Sequence, residues 1–175
     1  MVTITISGTP GSGKSTVAKL LEKNLGIKYV YSGMIFRELA KKHDMSLEDF
    51  GRYCEQNPGV DKELDDQQLR ILQKGDVILE GRLAGWLVYR NNISALKVML
   101  DADIDIRAGR IVKREKSSIK KRKKEILLRE KSEALRYKKY YDIDLRDNSI
   151  YDIVVDSTSK TAEEIVDIIV KRIKG

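Results

Sequence analysis

Eight residues constrain this chain more than any others: Gly8-Thr9-Pro10-Gly11-Ser12-Gly13-Lys14-Ser15. They fit the pattern G-x-x-x-x-G-K-[ST], and Thr16 adds a second hydroxyl. Before them, Val2-Thr3-Ile4-Thr5-Ile6 is a short β-branched run that reads as a strand. After them, Val17, Leu20, Leu21 and Leu25 are spaced for one face of a helix. A glycine-rich turn between a strand and a helix start is the context in which this pattern cradles phosphates. Glycines let successive N–H groups curl into one concavity. The helix beginning near Gly13 adds unpaired N–H groups and the positive end of its dipole. Lys14 can reach the β and γ phosphates, and the Ser15 hydroxyl can ligate Mg²⁺. The expected nucleotide loop is therefore Ser7, Gly8, Thr9, Pro10, Gly11, Ser12, Gly13, Lys14, Ser15 and Thr16.

Downstream the chain keeps alternating strand and helix signals. Gly26 stands where a helix C-cap belongs, and Ile27–Tyr31 reads as a strand. Ser32 is placed to N-cap a helix carrying Ile35, Phe36 and Leu39 inward. Ser46-Leu47-Glu48-Asp49 reads as a variant capping box opening another helix, which Pro58-Gly59 breaks. A third helix is expected from Asp61 to about Gln73. Val77–Leu79 is an apolar strand ending in Glu80-Gly81-Arg82. Leu83–Tyr89 is a short helix, with Trp86 assigned to core or pocket wall. Leu96–Leu100 is a strand, and Asp103 caps the helix that follows. A long helix is expected from about Lys120 to Tyr141, and Ile150–Val155 is the last strand. Thr161-Ala162-Glu163-Glu164 is a capping box opening a final helix. Five strands alternating with helices imply an α/β fold, a five-stranded parallel sheet covered on both faces. Ligands then sit beyond the C-terminal strand ends, where Ser32, Glu80 and Arg82 fall.

The 175 residues suffice for one domain with a sizeable core. No apolar run approaches membrane-spanning length, and the first strand starts at once, so neither membrane anchor nor signal peptide is expected. Cys54 is the only cysteine, which excludes an intrachain disulfide and a thiolate zinc cluster. A cytoplasmic setting is the expectation. His43, the only histidine, falls at a helix end, where a solvent-facing or capping role is expected. The net charge of +7 is uneven: Arg107–Tyr141 holds 15 Lys/Arg and 4 Asp/Glu, so the rest of the chain is net acidic. Such a segment suits either nucleic acid or a phosphate-gripping element. Arg129, Glu133 and Arg136 lie at i, i+4 and i+7, hence on one helix face. Guanidinium groups suit phosphate because their donors form a fixed fork and their charge is permanent. Glu133, between the two arginines, would orient them.

With these residues placed, the chain resembles the nucleoside monophosphate kinases, and most of all the short archaeal cytidylate kinases. The resemblance rests on the phosphate loop, Tyr31-Ser32-Gly33 with Arg37, Glu80-Gly81-Arg82, Arg107-Ala108-Gly109-Arg110, Arg129 with Arg136, and Ser149-Ile150-Tyr151-Asp152. It implies the P-loop NTPase fold, with inserted helices that bind the nucleoside monophosphate and a short helical lid. The implied core is 1–31, 76–113 and 142–175, the insertion 32–75, and the lid about 114–141. It further implies that Ser32, Gly33 and Arg37 hold the CMP phosphate, that Asp61 approaches the base, and that Arg82 faces the acceptor. Arg110 would serve ATP, and Arg129 and Arg136 would be catalytic beside Lys14. The implied reaction is Mg²⁺-dependent transfer from ATP to CMP, and also to dCMP, by a monomer. One departure bears on the base: bacterial members follow Gly-Arg with an Asp that helps read cytosine, whereas here Leu83 follows. Two alternatives are another small-molecule kinase, of adenylate or dephospho-coenzyme A type, and an RNA-binding module using the basic segment. The latter lacks an RNA-recognition motif or an aromatic stacking platform.

Overall fold

The computed structural model describes residues 2–46, 49–50, 53–54, 57–115 and 118–175. Its centre is a five-stranded parallel sheet of order β2-β3-β1-β4-β5. The strands are β1 (Ile4–Gly8), β2 (Lys28–Tyr31), β3 (Val77–Glu80), β4 (Leu96–Asp101) and β5 (Ile153–Asp156). The described helices are α1 (Lys14–Leu25), α2 (Ser32–Lys42), α3 (Pro58–Lys74), α4 (Ala84–Arg90), α5 (Ile104–Glu115), α6 (Ile119–Tyr141) and α7 (Ala162–Lys174).

Strand alternation sorts the core into two layers. Ile4, Ile6, Ile78, Val98 and Leu100 turn to one face, where Val17 and Leu21 of α1 and Ile165 and Ile169 of α7 cover them. Val30, Val77 and Leu79 turn to the other, under Ile35 and Leu39 of α2, Leu72 of α3 and Val88 of α4. A third cluster, Leu83, Trp86, Ile143 and Ile150, ties α4 to the end of α6 through Tyr137 and Tyr141. Trp86 is thus a core residue, as expected. Gly26 C-caps α1, His43 C-caps α2, and Thr161 with Glu164 forms the capping box of α7.

Three local expectations are corrected. Ser32 does not N-cap α2; it is the first helical residue, and Tyr31 occupies the cap position. Its hydroxyl is drawn instead to Glu80 O at 2.9 Å and Gln68 Oε1 at 3.1 Å, two acceptors for one hydrogen. Pro58 does not precede the third helix but opens it, because its missing N–H is one of the unpaired donors of a first turn. Strand β5 starts at Ile153 rather than Ile150, since Ile150 packs into the third cluster. The helix expected at Ser46–Asp49 is seen only in part: Asp49 N donates to Ser46 Oγ at 3.1 Å, and Leu47 and Glu48 lie outside the described residues.

Among the described residues no helix is long and apolar enough to cross a membrane.

Candidate functional site

The site lies at the C-terminal edge of the sheet, where β1, β3, β4 and β5 deliver their ends. The loop after β1 is locked from three sides. Thr9 N donates to Leu100 O (3.3 Å), Thr9 Oγ1 to Asp101 Oδ1 (2.6 Å), and Ser157 Oγ to Ser12 O (2.8 Å). Gly11, at φ 81°, sits so close to α5 that a Cβ would lie 2.8 Å from Arg107 O; the close approach and the backbone angle both require glycine. Arg107 is buried and fastens this contact. It donates to Ala102 O (2.8 Å), Pro10 O (3.4 Å) and Glu130 of α6 (2.6 Å).

Lys14 folds back over the loop, its Nζ donating to Thr9 O at 2.8 Å. Burial of the ammonium lowers its pKa to about 8; Glu80 opposes the shift, and Arg82 and Arg129 add to it. Ser15 Oγ donates to Glu80 Oε1 at 3.0 Å, and the Tyr29 hydroxyl donates to Glu80 Oε2. A hydroxyl and a carboxylate side by side form a hard-oxygen donor pair, the kind Mg²⁺ takes together with phosphate oxygens and water.

Three clefts meet here. The first, of about 340 Å³, runs from Gly11–Thr16 to Arg110, Ser157 and Lys160. Arg110 is aimed by Ser157, donating to its Oγ at 3.0 Å and its carbonyl at 2.7 Å. The second, of about 300 Å³, lies between α2, α3 and α6 and holds Ser32, Gly33, Gln68, Arg82, Arg129 and Arg136. Between them a junction of about 270 Å³ gathers Lys14, Ser15, Ser32, Glu80, Arg82 and Arg129. Arg82 spans the junction, donating to Gly8 O (2.7 Å) and to Glu133 (2.5 Å), which also accepts from Arg129 (2.8 Å). Burial opposes the charge on Glu133, yet the two arginines outweigh it and hold its carboxyl below the usual range.

A glycine-rich loop, a separate cleft beside it and arginines at their meeting point are an arrangement suited to phosphoryl transfer. The sequence over residues 3–159 matches the model of the cytidylate kinase-like family. The chain belongs to that family. Among curated relatives, the cytidylate kinase of Methanococcus vannielii is 44% identical over 172 residues, covering 98% of this chain and 99% of its own. That of Pyrococcus horikoshii is 45% identical over 168 residues, covering 96% and 85%. Among solved structures, an uncharacterized protein from Eubacterium ventriosum superposes at TM-score 0.75 with 20% identity, covering 100% of this chain and 99% of its own. The shikimate kinase of Bacteroides thetaiotaomicron gives 0.66 with 12% identity, covering 99% of each. Identities this low speak for the fold alone.

In this cytidylate kinase-like chain the residues singled out from sequence divide into groups. Gly11, Lys14, Ser15, Arg82 and Arg129 converge on the junction. Gly13, Thr16 and Arg110 line the first cleft. Ser7 is fully buried beneath the loop, its Oγ accepting from Gly85 N at 3.1 Å, and Ser12 is buried as well. Arg37 is exposed outside the second cleft, its guanidinium donating to the Tyr31 hydroxyl and lying 5.6 Å from that ring's centre. Arg136 lines the second cleft but not the junction, and stands 5.1 Å from the Tyr137 ring centre. Asp61 falls in the first turn of α3, and its side chain lies outside what is described. Ser157 and Lys160 went unremarked in the sequence; their place at the end of the last strand was the available signal.

Proposed function

We propose that this family member transfers the γ-phosphoryl group of ATP to CMP, giving ADP and CDP. The observation that carries the reading is the convergence of two clefts on Lys14, Arg82 and Arg129, supported by cytidylate kinase relatives over nearly the whole chain. ATP occupies the first cleft, with its phosphates in the loop concavity and against Lys14. CMP occupies the second, its phosphate directed by Ser32, Gly33 and Arg82, with Arg37 joining when α2 closes. The protein supplies little covalent chemistry: it aligns acceptor oxygen and γ-phosphate and spreads positive charge over oxygens that gain negative charge in flight. Arg129 reaches that position from α6, and Arg136 supports the acceptor side. Mg²⁺ accompanies the nucleotide; Ser15 and Glu80 would hold it, and it would neutralise phosphate charge.

The segment 32–75 acts as the acceptor-binding insertion and about 114–141 as the lid, whose closure excludes water from the junction. dCMP is a second acceptor, and the working form is a cytoplasmic monomer, which gel filtration of the purified chain tests. The decisive measurement is ADP release with ATP and a panel of CMP, dCMP, UMP, AMP, GMP and dephospho-coenzyme A. CMP should give the highest kcat/KM; a higher value for AMP or dephospho-coenzyme A overturns the assignment.

A further inference from the structure

We infer that Tyr29 is a positioning residue for phosphoryl transfer: its hydroxyl keeps the Glu80 carboxylate off the site's own cations and turned, with Ser15, toward the metal that accompanies the nucleotide. This rests on the reading above that Ser15 and Glu80 hold Mg²⁺.

Glu80 has four cations for company. Lys14, Arg82, Arg114 and Arg129 line the junction with it, and it is the one carboxylate among the described residues there. Opposite charges this close ordinarily pair. The Lys14 ammonium is near enough to feel the Glu80 charge, yet it donates to Thr9 O. Arg82 and Arg129 both turn to Glu133. Among the described residues no cation pairs with Glu80. Each of its oxygens takes a neutral hydroxyl instead, Ser15 on Oε1 at 3.0 Å and Tyr29 on Oε2. Left so, the carboxylate would repel incoming phosphates. Its place in the junction makes sense once a cation from outside the protein arrives between them.

The two hydroxyls differ in what they can reach. Ser15 lines the junction, and its oxygen can join a metal's ligands. Tyr29 lines none of the three clefts, so it acts through Glu80. Strand pairing puts it there. Tyr31 of β2 lies opposite Glu80 of β3, and Tyr29 falls two residues back on the same sheet face. That face packs against α1, whose first turn carries Ser15. The Tyr29 ring is fixed in turn: its N–H donates to Glu22 Oε1 at 2.9 Å, and the ring stacks on Tyr31 with centres 6.0 Å apart. With Oε2 engaged by Tyr29, Oε1 is the oxygen on the Ser15 side. Partners that orient a metal's ligands in this way are worth roughly 10–100-fold in metal affinity or activity.

The test is Tyr29→Phe, which removes the hydroxyl and keeps the half-buried ring. Calorimetry reads binding of the β,γ-imido analogue of ATP, once with Mg²⁺ and once in EDTA. Mg²⁺ should tighten the analogue in the parent and tighten it less in Tyr29→Phe. The Mg²⁺ concentration for half-maximal rate should rise at least about 10-fold, with the KM for CMP unchanged. An effect carried by Glu80 is not additive, so Tyr29→Phe should alter the Mg²⁺ dependence no further on a Glu80→Gln background. Loosened packing would lower the melting temperature and shift binding equally with and without Mg²⁺; that result overturns the inference. So does a Tyr29→Phe enzyme with the parental Mg²⁺ dependence, which leaves the metal assignment intact. A parent that binds the analogue equally well with and without Mg²⁺ overturns the assignment of Ser15 and Glu80 itself.

Discussion

Lys14 is where nucleotide binding should leave the clearest proton signature. Free, its ammonium is buried against Thr9 O with a pKa of about 8. Phosphate oxygens favour the charged form, so they raise that pKa again. Nucleotide binding above pH 8 should therefore take up a proton, and affinity should fall as pH rises through that range. Calorimetry in buffers of different ionisation enthalpy reads the proton directly; a buffer-independent heat at pH 8.5 would contradict it. The stability sign follows from the same shift. The unfolded chain holds the Lys14 proton up to its ordinary value of 10.5. This residue's contribution to stability therefore improves from pH 8 to 10.5 and is least favourable below pH 8. Lys14→Ala should abolish transfer and leave the melting temperature no lower than the parent's. Gly81 offers a second residue test. A Cβ there would lie 2.1 Å from Ser32 Oγ, so Gly81→Ala must displace the hydroxyl that Glu80 O and Gln68 hold. The KM for CMP should rise several-fold while that for ATP stays, as steady-state kinetics would show. Lys14 was legible in the sequence because its whole context is eight contiguous residues. Gln68 and Ser157 were not, because Gln68 meets Ser32 only across 36 positions and Ser157 meets Ser12 only across 145.

At the scale of elements, α6 buries the smallest share of its residues among the described helices. Over 23 residues it buries only Ile126 and Glu133. Half of its buried stripe is thus a carboxylate clamped by Arg82 and Arg129. Because Glu133 is held below the usual carboxylate range, its contribution is complete above the ordinary carboxylate pKa and is lost as pH falls through the lower folded value. Glu133→Gln should loosen α6, seen as faster amide exchange confined to that helix and to Arg82's turn. Arg129 is 63% exposed at its side chain yet lines both the second cleft and the junction. An arginine that meets charge in the transition state is worth roughly 10³–10⁵ in rate, against about 0–1 kcal/mol for a solvated one. Arg129→Ala should lower kcat by at least about 10²-fold, Arg136→Ala by less, and Lys120→Ala with Lys121→Ala hardly at all. Parental kcat in Arg129→Ala, with loss only of salt-sensitive RNA binding, would favour a nucleic-acid role. The start of this helix was legible to within a residue, because the charged run reads as helix and Tyr141-Asp142 ends it. Its partners were not, since the same i, i+4, i+7 face fits a solvated stripe equally well. The structure gives Glu133 to Arg82 and Arg129, and sets Arg136 against Tyr137.

For the whole molecule, the charge imbalance is partly absorbed within the fold: Arg107, Arg122, Lys123, Arg129 and Lys138 all face carboxylates. Ligand binding should stabilise the assembled site by mass action. ATP at about 100 times its dissociation constant contributes about 2.7 kcal/mol, which for a chain of this size raises the melting temperature by roughly 5–11 °C. Differential scanning fluorimetry measures it, and Lys14→Ala should lose most of the shift. The parallel sheet and its double covering were legible from the alternation of β-branched runs with capped helices; the strand order was not, because neither neighbour of β1 is next in sequence. That order also sets when the site can exist during synthesis. Ile4 pairs with Ile78 on one side and Leu96 on the other, and Thr9 leans on Leu100. A ribosome adding about 5–20 residues per second displays the glycine loop for several seconds before the strands that shape it emerge. The nascent chain therefore carries the phosphate-binding letters before the phosphate-binding site, and Ser157, which closes the loop from behind, follows Ser12 by 145 residues. A chain cut short before β4 should therefore hold no nucleotide, because the loop would lack the Leu100 and Asp101 contacts that shape it.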